Sequence, residues 1–232
     1  MRRMVIRALL ALVFLSIPID SAWGQRSFGE HTQHVAFNSG VLVGFNGGTG
    51  VQFFGGVANI ADGFPFDVRL GVGYTVTQPG DARAARRIFI NNATNGVPEE
   101  RGWIWDFRLD VRHPTKLLGL PNATIFGGPR YVRFTGNFEF VGGNEDFDVQ
   151  ARRLGAGLGL ESSFIINRKL DLLISSGFDY FPKGTLHGHD TWYNPDGDDI
   201  NPREDYNYTD ADNAINQPKY ELRMMIGLQF LY

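Results

Sequence analysis

Apolar and polar residues alternate with a period of two in several segments of this chain. In the clearest one, residues 66–77, six apolar or aromatic residues alternate with Asp, Arg, Gly and Thr. The same alternation recurs at 103–112, 154–164 and 170–181. Because successive side chains of a β-strand point to opposite faces, alternation over this length predicts strands with one apolar face.

Three weaker segments share this pattern, 35–45, 51–60 and 124–140, and the C-terminal segment 220–232 has one face that is entirely apolar or aromatic. The Asn-Gly-Gly-Thr sequence at 46–49 predicts a hairpin between the first two. Pro129 interrupts the third, where it predicts a bulge or a change of phase. The total is eight strands, an even number.

The connections between these strands alternate in length. One set comprises 46–50, 78–102, 141–146 and 182–218, of which two are long and polar. The other set, 61–65, 113–122 and 167–169, is uniformly short. Transmembrane barrels have this asymmetry. We therefore expect an all-β fold over 34–232, an eight-stranded antiparallel up-and-down transmembrane β-barrel.

Alternation does not decide which face is inside, and a soluble lipocalin-like barrel would bury the apolar face. Three features favour the membrane form. The polar face mixes glycine with Arg and Asp, which suits a narrow packed lumen. The last strand is apolar to its end. Aromatic residues also stand near strand ends, as in interfacial girdles: Phe45, Phe66, Trp103, Trp105, Phe164, Tyr180, Tyr220 and Tyr232.

The N-terminal sequence predicts export. Three arginines precede an apolar run at 8–17, and Ala22-Trp23-Gly24 forms a small-x-small cleavage pattern. Residues 1–24 are therefore predicted to be a signal peptide, and 25–33 an N-terminal periplasmic segment. The alternative, a retained anchor helix, is disfavoured because the apolar run is about half of the roughly 20 residues that span a bilayer.

The C-terminal strand, YELRMMIGLQFLY, resembles the terminal signal of Gram-negative outer-membrane barrels. The matching positions are Ile226, Leu228, Phe230 and Tyr232. The layout of the mature chain is similar to the small eight-stranded barrels of the OmpA/OmpX type, without a periplasmic domain after the barrel. This resemblance implies an outer-membrane location with both termini periplasmic. The implied partners are outer-membrane lipid, lipopolysaccharide and the barrel-assembly machinery; the resemblance specifies no activity.

Composition narrows the classes of function. The chain has no cysteine, which excludes disulfides and a cysteine-linked lipid anchor. Its net charge is −3 and it has no basic patch, so nucleic acid is not an expected partner. No cofactor motif is present; GAGLG at 155–159 has the wrong spacing for a dinucleotide site and is interpreted as lumen space beside arginines.

Charged residues recur on the polar faces of the strands. The predicted lumen charge network comprises Asp67, Arg69, Asp106, Arg108, Asp110, Arg112, Glu161, Asp179, Glu221 and Arg223; Arg153 has the same phase. These residues could line an ion pathway or form a plug of paired charges. An eight-stranded barrel is just wide enough for its own side chains, and buried charges must be paired, so the plug is favoured.

The long loop 182–218 is acidic. Asp196, Asp198 and Asp199 are candidate ligands for a divalent cation, because carboxylate oxygens suit such ions. Their spacing does not match an EF-hand, and a solvated acidic loop is the simpler interpretation. Interleaved Trp192 and Tyr193 indicate that the loop is folded and could form a recognition surface.

Two further groups of polar residues lie in the long loops. His187, His189 and Asp190 could suggest a hydrolytic dyad, but no second carboxylate pair or nucleophile motif accompanies them. Three arginines of loop 78–102 could contact lipopolysaccharide phosphates or simply make the loop basic: Arg83, Arg86 and Arg87.

The sequence thus predicts a non-enzymatic, monomeric outer-membrane barrel. Its role would be structural or would lie in surface interactions through the external loops. The alternative is a narrow channel for small solutes or ions.

Overall fold

β-Strands dominate the described part of the chain. A computed structural model describes residues 35–232, except residues 62, 92–94 and 118. The predicted signal peptide (1–24) and periplasmic segment (25–33) lie outside the described residues. Among the residues that are described, no helix is both long enough and apolar enough to cross a membrane.

Eight long antiparallel strands close into a barrel. They are β1 (Ala36–Asn46), β2 (Thr49–Ala58), β3 (Asp67–Thr77), β4 (Val97–Pro114), β5 (Ala123–Val141), β6 (Asp146–Asn167), β7 (Leu170–Tyr180) and β10 (Tyr220–Leu231). The long connections contain the helices α1 (Ala82–Phe89) and α2 (Tyr208–Ala214) and the short strands β8 (Leu186–His187) and β9 (Trp192–Tyr193). Strands β1 to β7 pair in sequence order, β7 pairs with β10, and β10 closes on β1. The predicted eight-stranded barrel is confirmed.

The two faces of the wall differ as a membrane barrel requires. In β10, the outward residues Tyr220, Leu222 and Ile226 are 68%, 52% and 48% exposed, whereas Arg223 on the opposite face is 2% exposed. The outward faces of the other barrel strands are also apolar, with Phe53, Leu70 and similar residues exposed. Charges inside and apolar residues outside are the reverse of a soluble barrel. The lipocalin-like alternative is therefore wrong.

Three adjacent strands continue beyond the others at the end opposite the termini. The last pair between β3 and β4 is Thr77 with Gly102, and the first pair between β6 and β7 is Ala156 with Tyr180. Residues 97–102, 136–141 and 146–155 therefore form a three-stranded extension, here called the tongue. The predicted loop 78–102 is thus partly wrong, since its last six residues are strand.

β5 passes through Pro129 without the predicted change of phase. Its register with β4 is the same on both sides of the proline, and Pro129 is aligned with Ala156 of β6. The ladder to β4 lacks pairs at Leu109 and Asp110, opposite this point. Proline has no N–H to donate, so a gap in the ladder accommodates it.

Candidate functional site: a charged lumen beneath an apolar cap

A carboxylate shared by two arginines occupies the half of the lumen nearer the termini. Glu161 accepts hydrogen bonds from Arg69 at 2.7 and 3.0 Å and from Arg112 at 2.5 Å. Arg69 also donates to Gln229 at 2.9 Å, and its guanidinium lies 3.9 Å from the centre of the Phe54 ring. Glu161 is 1% exposed. The three strands that supply these charges, β3, β4 and β6, are cross-linked through the barrel interior.

A second ionic cluster lies in the half nearer the tongue. Asp179 accepts from Arg108 at 2.8 Å and from Arg130 at 3.0 Å. Arg108 also donates to Asp106 at 2.5 Å, and Arg130 to Asp110 at 2.6 Å. All five side chains are at most 5% exposed. The cluster alternates in charge, so each guanidinium contacts two carboxylates.

Neutral and aromatic groups complete the packing of the lumen. Arg223 donates to Gln52 at 3.0 Å and to Ser175 at 2.8 Å, and its guanidinium lies 5.3 Å from the centre of the Phe126 ring. A small apolar cluster accompanies it: Leu42, Phe54, Leu173 and Met225.

The structure brings most of the predicted lumen charges together, with differences in detail. Asp67 lies on the same face but approaches Arg112 only to 4.0 Å. Glu221 faces the lumen beside Gly47 and has no ion pair among the described residues. The sequence pattern did not identify Arg130, because a phase change was expected at Pro129. Continued alternation from Phe126 through position 130 was the signal that would have identified it.

Glycines on β6 make room for this cluster, as the sequence indicated. A Cβ added at Gly157 would lie 1.8 Å from a carboxylate oxygen of Asp179 and 2.7 Å from Nε of Arg130. A Cβ at Gly159 would meet the Phe126 ring at 2.3 Å. The strand therefore needs glycine here to admit the side chains of its neighbours.

On the tongue side of the second ionic cluster, the interior of the barrel becomes apolar. On β4, the next inward-facing residue after Asp106 in the direction of the tongue is Ile104. On β5, the inward-facing residues after Arg130 are Val132 and Phe134. The inner face of the tongue and the two long loops continue this core, here called the cap. Its buried residues are Ala82, Ala85, Ile88, Phe89, Ile104, Val132, Phe134, Phe138, Phe140, Phe147, Val149, Ala151, Phe181, Leu186, Tyr193, Tyr208, Ala211, Ala214 and Ile215.

Hydrogen bonds join the two long loops to each other within the cap. Tyr193 is fully buried, its hydroxyl donates to the carbonyl of Ile88 at 3.0 Å, and its ring meets that of Phe89 edge-on at 5.4 Å. Asp81 N donates to the carbonyl of Ala214 at 2.9 Å. These contacts confirm that loop 182–218 is folded.

Arg153 lies in the cap and is not part of the lumen charge network. Its guanidinium donates to the carbonyls of Pro182 at 2.9 Å and Pro218 at 3.3 Å, and lies 3.5 Å from the hydroxyl of Tyr208. It therefore ties both ends of the long loop to β6.

Arg86 is also internal to the cap, which contradicts its predicted contact with lipopolysaccharide. It is 2% exposed, forms an ion pair with Glu145 and lies over the ring of Phe140 at 4.8 Å. The hydrogen bond from Arg86 holds the pKa of Glu145 below its usual value. Arg83 and Arg87 of the same helix are exposed.

The candidate cation ligands contact the backbone of their own loop. Asp199 accepts from the backbone N–H of Asn194 at 2.6 Å, and Asp196 from that of Asp198 at 3.3 Å. The described residues contain no group of three or more His, Cys, Asp or Glu side chains that could hold a metal ion. The carboxylates of Asp196 and Asp199 thus accept hydrogen bonds from backbone N–H groups of this turn.

A polar cleft opens on the outside of the cap. It has a volume of about 510 Å³ and lies between the start of α1 and the end of α2. Glu100 lines it and accepts from Gln78 at 2.7 Å, while Lys219 pairs with Asp212 at 2.8 Å. Its lining is mostly polar and its charges are mutually engaged.

Comparison with solved structures gives the fold a precedent. A major outer membrane protein from Thermus thermophilus matches with a TM-score of 0.69 and 24% identity, covering 86% of this chain and 100% of that one. The chain has the fold of a small outer-membrane β-barrel. No family model matches the chain, and no curated protein matches its sequence.

Two further barrels are more distant. Neisserial surface protein A matches with a TM-score of 0.39 and 10% identity, over 84% of this chain and 96% of that one. CarO from Acinetobacter baumannii matches with a TM-score of 0.36 and 16% identity, over 87% and 100% of the respective chains. Likeness at this level carries no inference about function.

Proposed function

We propose that this protein is a non-enzymatic, monomeric outer-membrane barrel with a closed lumen, and that it acts through the folded cap it presents at the cell surface. The observation that supports the proposal is that the apolar cap lies directly against the second of the two clusters of buried ion pairs in the lumen. An ion crossing the barrel would have to separate these pairs and then enter the apolar layer.

The energetics of the ionic clusters and of the apolar cap both favour a closed lumen. Eight strands leave an interior that side chains can fill. Removing one partner of a buried ion pair costs about 3–5 kcal/mol, so the clusters resist displacement. The core around Phe134 and Phe138, both 0% exposed, is apolar, and the polar groups buried in the cap, such as Arg86 and the Tyr193 hydroxyl, bond to Glu145 and to the Ile88 carbonyl.

The cap supplies a surface for partners. Its outer side carries the polar cleft and the acidic turn 196–199, and the long loops are held in one arrangement by Tyr193 and Arg153. Rigid loops on a barrel are suited to recognition, because little conformational entropy is lost on binding. Lipid and lipopolysaccharide would surround the apolar wall. The barrel-assembly machinery would read the outward residues of β10.

A narrow channel is the second candidate. Several lumen nitrogens have no hydrogen-bond partner among the described residues: Arg69 Nε, Arg108 Nη1, Arg112 Nε and Arg223 Nε. Buried polar atoms of this kind commonly bind water. A continuous file of such waters would favour conduction, whereas isolated waters fit a closed lumen.

Surface presentation is testable because the chain has no cysteine of its own. In intact cells, a membrane-impermeant maleimide should label Asp198→Cys in the cap. It should label Lys169→Cys, in the short turn at the other end, only after lysis. Both positions are exposed in the structure. Labelling of Lys169→Cys but not Asp198→Cys in intact cells would contradict the proposed orientation.

A further inference from the structure

Two arginines stand directly opposite each other on the outside of the barrel. Arg133 of β5 pairs in register with Arg152 of β6, and both are exposed. Like charges directly opposite each other on one face of a sheet repel. Neither forms an ion pair with a described acidic residue; Arg133 has a hydrogen bond at 3.3 Å to the neutral side chain of Gln150. Within the described part of the chain, no ion pair compensates this positive charge.

The position of the pair coincides with the border of the apolar belt. On β4, Trp105 is the register partner of Arg133. The next outward-facing pair in the direction of the termini is Tyr131 of β5 with Leu154 of β6, and Leu154 is 72% exposed. Further from the termini, the outward positions of β5 and β6 are polar and include Asn137, Asp148 and Gln150. Aromatic residues mark the interface of membrane barrels, so the arginines lie at headgroup depth.

The groups beside the two arginines add no negative charge that would neutralise them. His187 pairs in register with Gln150, one outward step from Arg152, and its ring meets that of Trp192 at 4.6 Å. Burial and the positive charge of Arg152 lower the pKa of His187. The nearest outward carboxylate along β6, Asp148, accepts a hydrogen bond from Asn137 at 3.0 Å.

We propose that Arg133 and Arg152 bind the phosphate of an anionic lipid in the outer leaflet, with the acyl chain lying on Tyr131 and Leu154. Two guanidinium groups can each present paired N–H donors to phosphate oxygens, the geometry in which arginine binds phosphate best. The apolar surface directly below selects a lipid rather than a free ion. The proposal rests on the membrane orientation given under the proposed function.

The test uses the full barrel in neutral-lipid micelles doped with phosphatidic acid or phosphatidylcholine. Native mass spectrometry counts the retained lipid. The variant Arg133→Gln/Arg152→Gln should lose the preference for phosphatidic acid by roughly tenfold, the equivalent of losing about one charged hydrogen bond. The matched control is Arg83→Gln/Arg87→Gln, which removes the same charge from exposed positions in the cap.

The outcomes separate the explanations. Loss in the first variant alone supports the site. Equal retention in all three proteins, or equal loss in both variants, would overturn it. Tighter retention of inorganic phosphate than of phosphatidic acid at equal concentration would show a free-phosphate site and would also overturn it.

A heat-dependent gel shift reports barrel folding separately. If the gel shift is missing, so that Arg133→Gln/Arg152→Gln has not folded, the variant Arg133→Lys/Arg152→Lys is tested in its place. Lysine keeps the positive charge but lacks the paired N–H donors of arginine. A weakened preference for phosphatidic acid therefore supports the site, and an unchanged preference overturns it. Failure of the wild type to shift would count against the proposed function.

Discussion

Replacing Glu161 by Gln is expected to lower the free energy of unfolding by about 3–5 kcal/mol, the usual cost of breaking a buried ion pair. The change is nearly isosteric, so it removes charge without making a cavity. It leaves Arg69 and Arg112, both under 10% exposed, without the carboxylate they share. Asp67 cannot replace it, because it lies 4.0 Å from Arg112 and is itself partly exposed.

Urea unfolding of the refolded barrel, followed by tryptophan fluorescence and the gel shift, measures this loss. Glu99→Gln is the control, because it breaks an ion pair with Arg101 whose partners are 53% and 66% exposed. Exposed pairs contribute about 0–1 kcal/mol, so the control should stay close to the wild type. Equal stability of the two variants would mean that the lumen charges do not hold the barrel together.

Replacing Phe89 by Ala should loosen the cap while leaving the barrel closed. Phe89 is 1% exposed, and its ring packs against Tyr193. Truncating a buried phenylalanine costs about 3–5 kcal/mol through lost burial and the cavity left behind. The barrel wall has its own ladder and ion pairs, so the loss should be local.

Hydrogen exchange of peptides from 186–193 and 208–214 reports this opening, and limited proteolysis should cut the same region. Phe53→Ala removes the same side chain from the lipid-facing wall, where it is 60% exposed, and should leave the exchange of these peptides unchanged. Opening of the barrel strands together with the cap would contradict the separation of the two layers.

The barrel could be predicted from sequence because period two is a local property. The alternation at 66–77 and 170–181 specifies both a strand and the face that is apolar. The even strand count and the alternating loop lengths then limit the topology. Only the direction of the apolar face needed further argument, which came from glycine beside Arg and Asp, the apolar last strand and the aromatic residues near strand ends.

The cap could not be predicted in the same way. Its core joins Phe89 of one loop to Tyr193 of another and to Phe138 of the tongue, and no local periodicity connects these positions. Arg86 illustrates the difficulty: in sequence it belongs to a run of basic residues, yet its partner Glu145 lies in a different hairpin. Likewise, the alternation marks Arg69 and Glu161 as inward, but only the closed barrel brings residues 92 positions apart into contact.

The closed lumen is the central claim, and single-channel recording tests it most directly. The chain without its predicted signal peptide, residues 25–232, would be refolded, checked by its heat-dependent gel shift and added to a planar bilayer. The account predicts a silent bilayer, because the ionic clusters and the apolar cap lie in series along the interior of the barrel. Steady, reproducible openings from folded protein would contradict the closed lumen and would make transport the function to pursue.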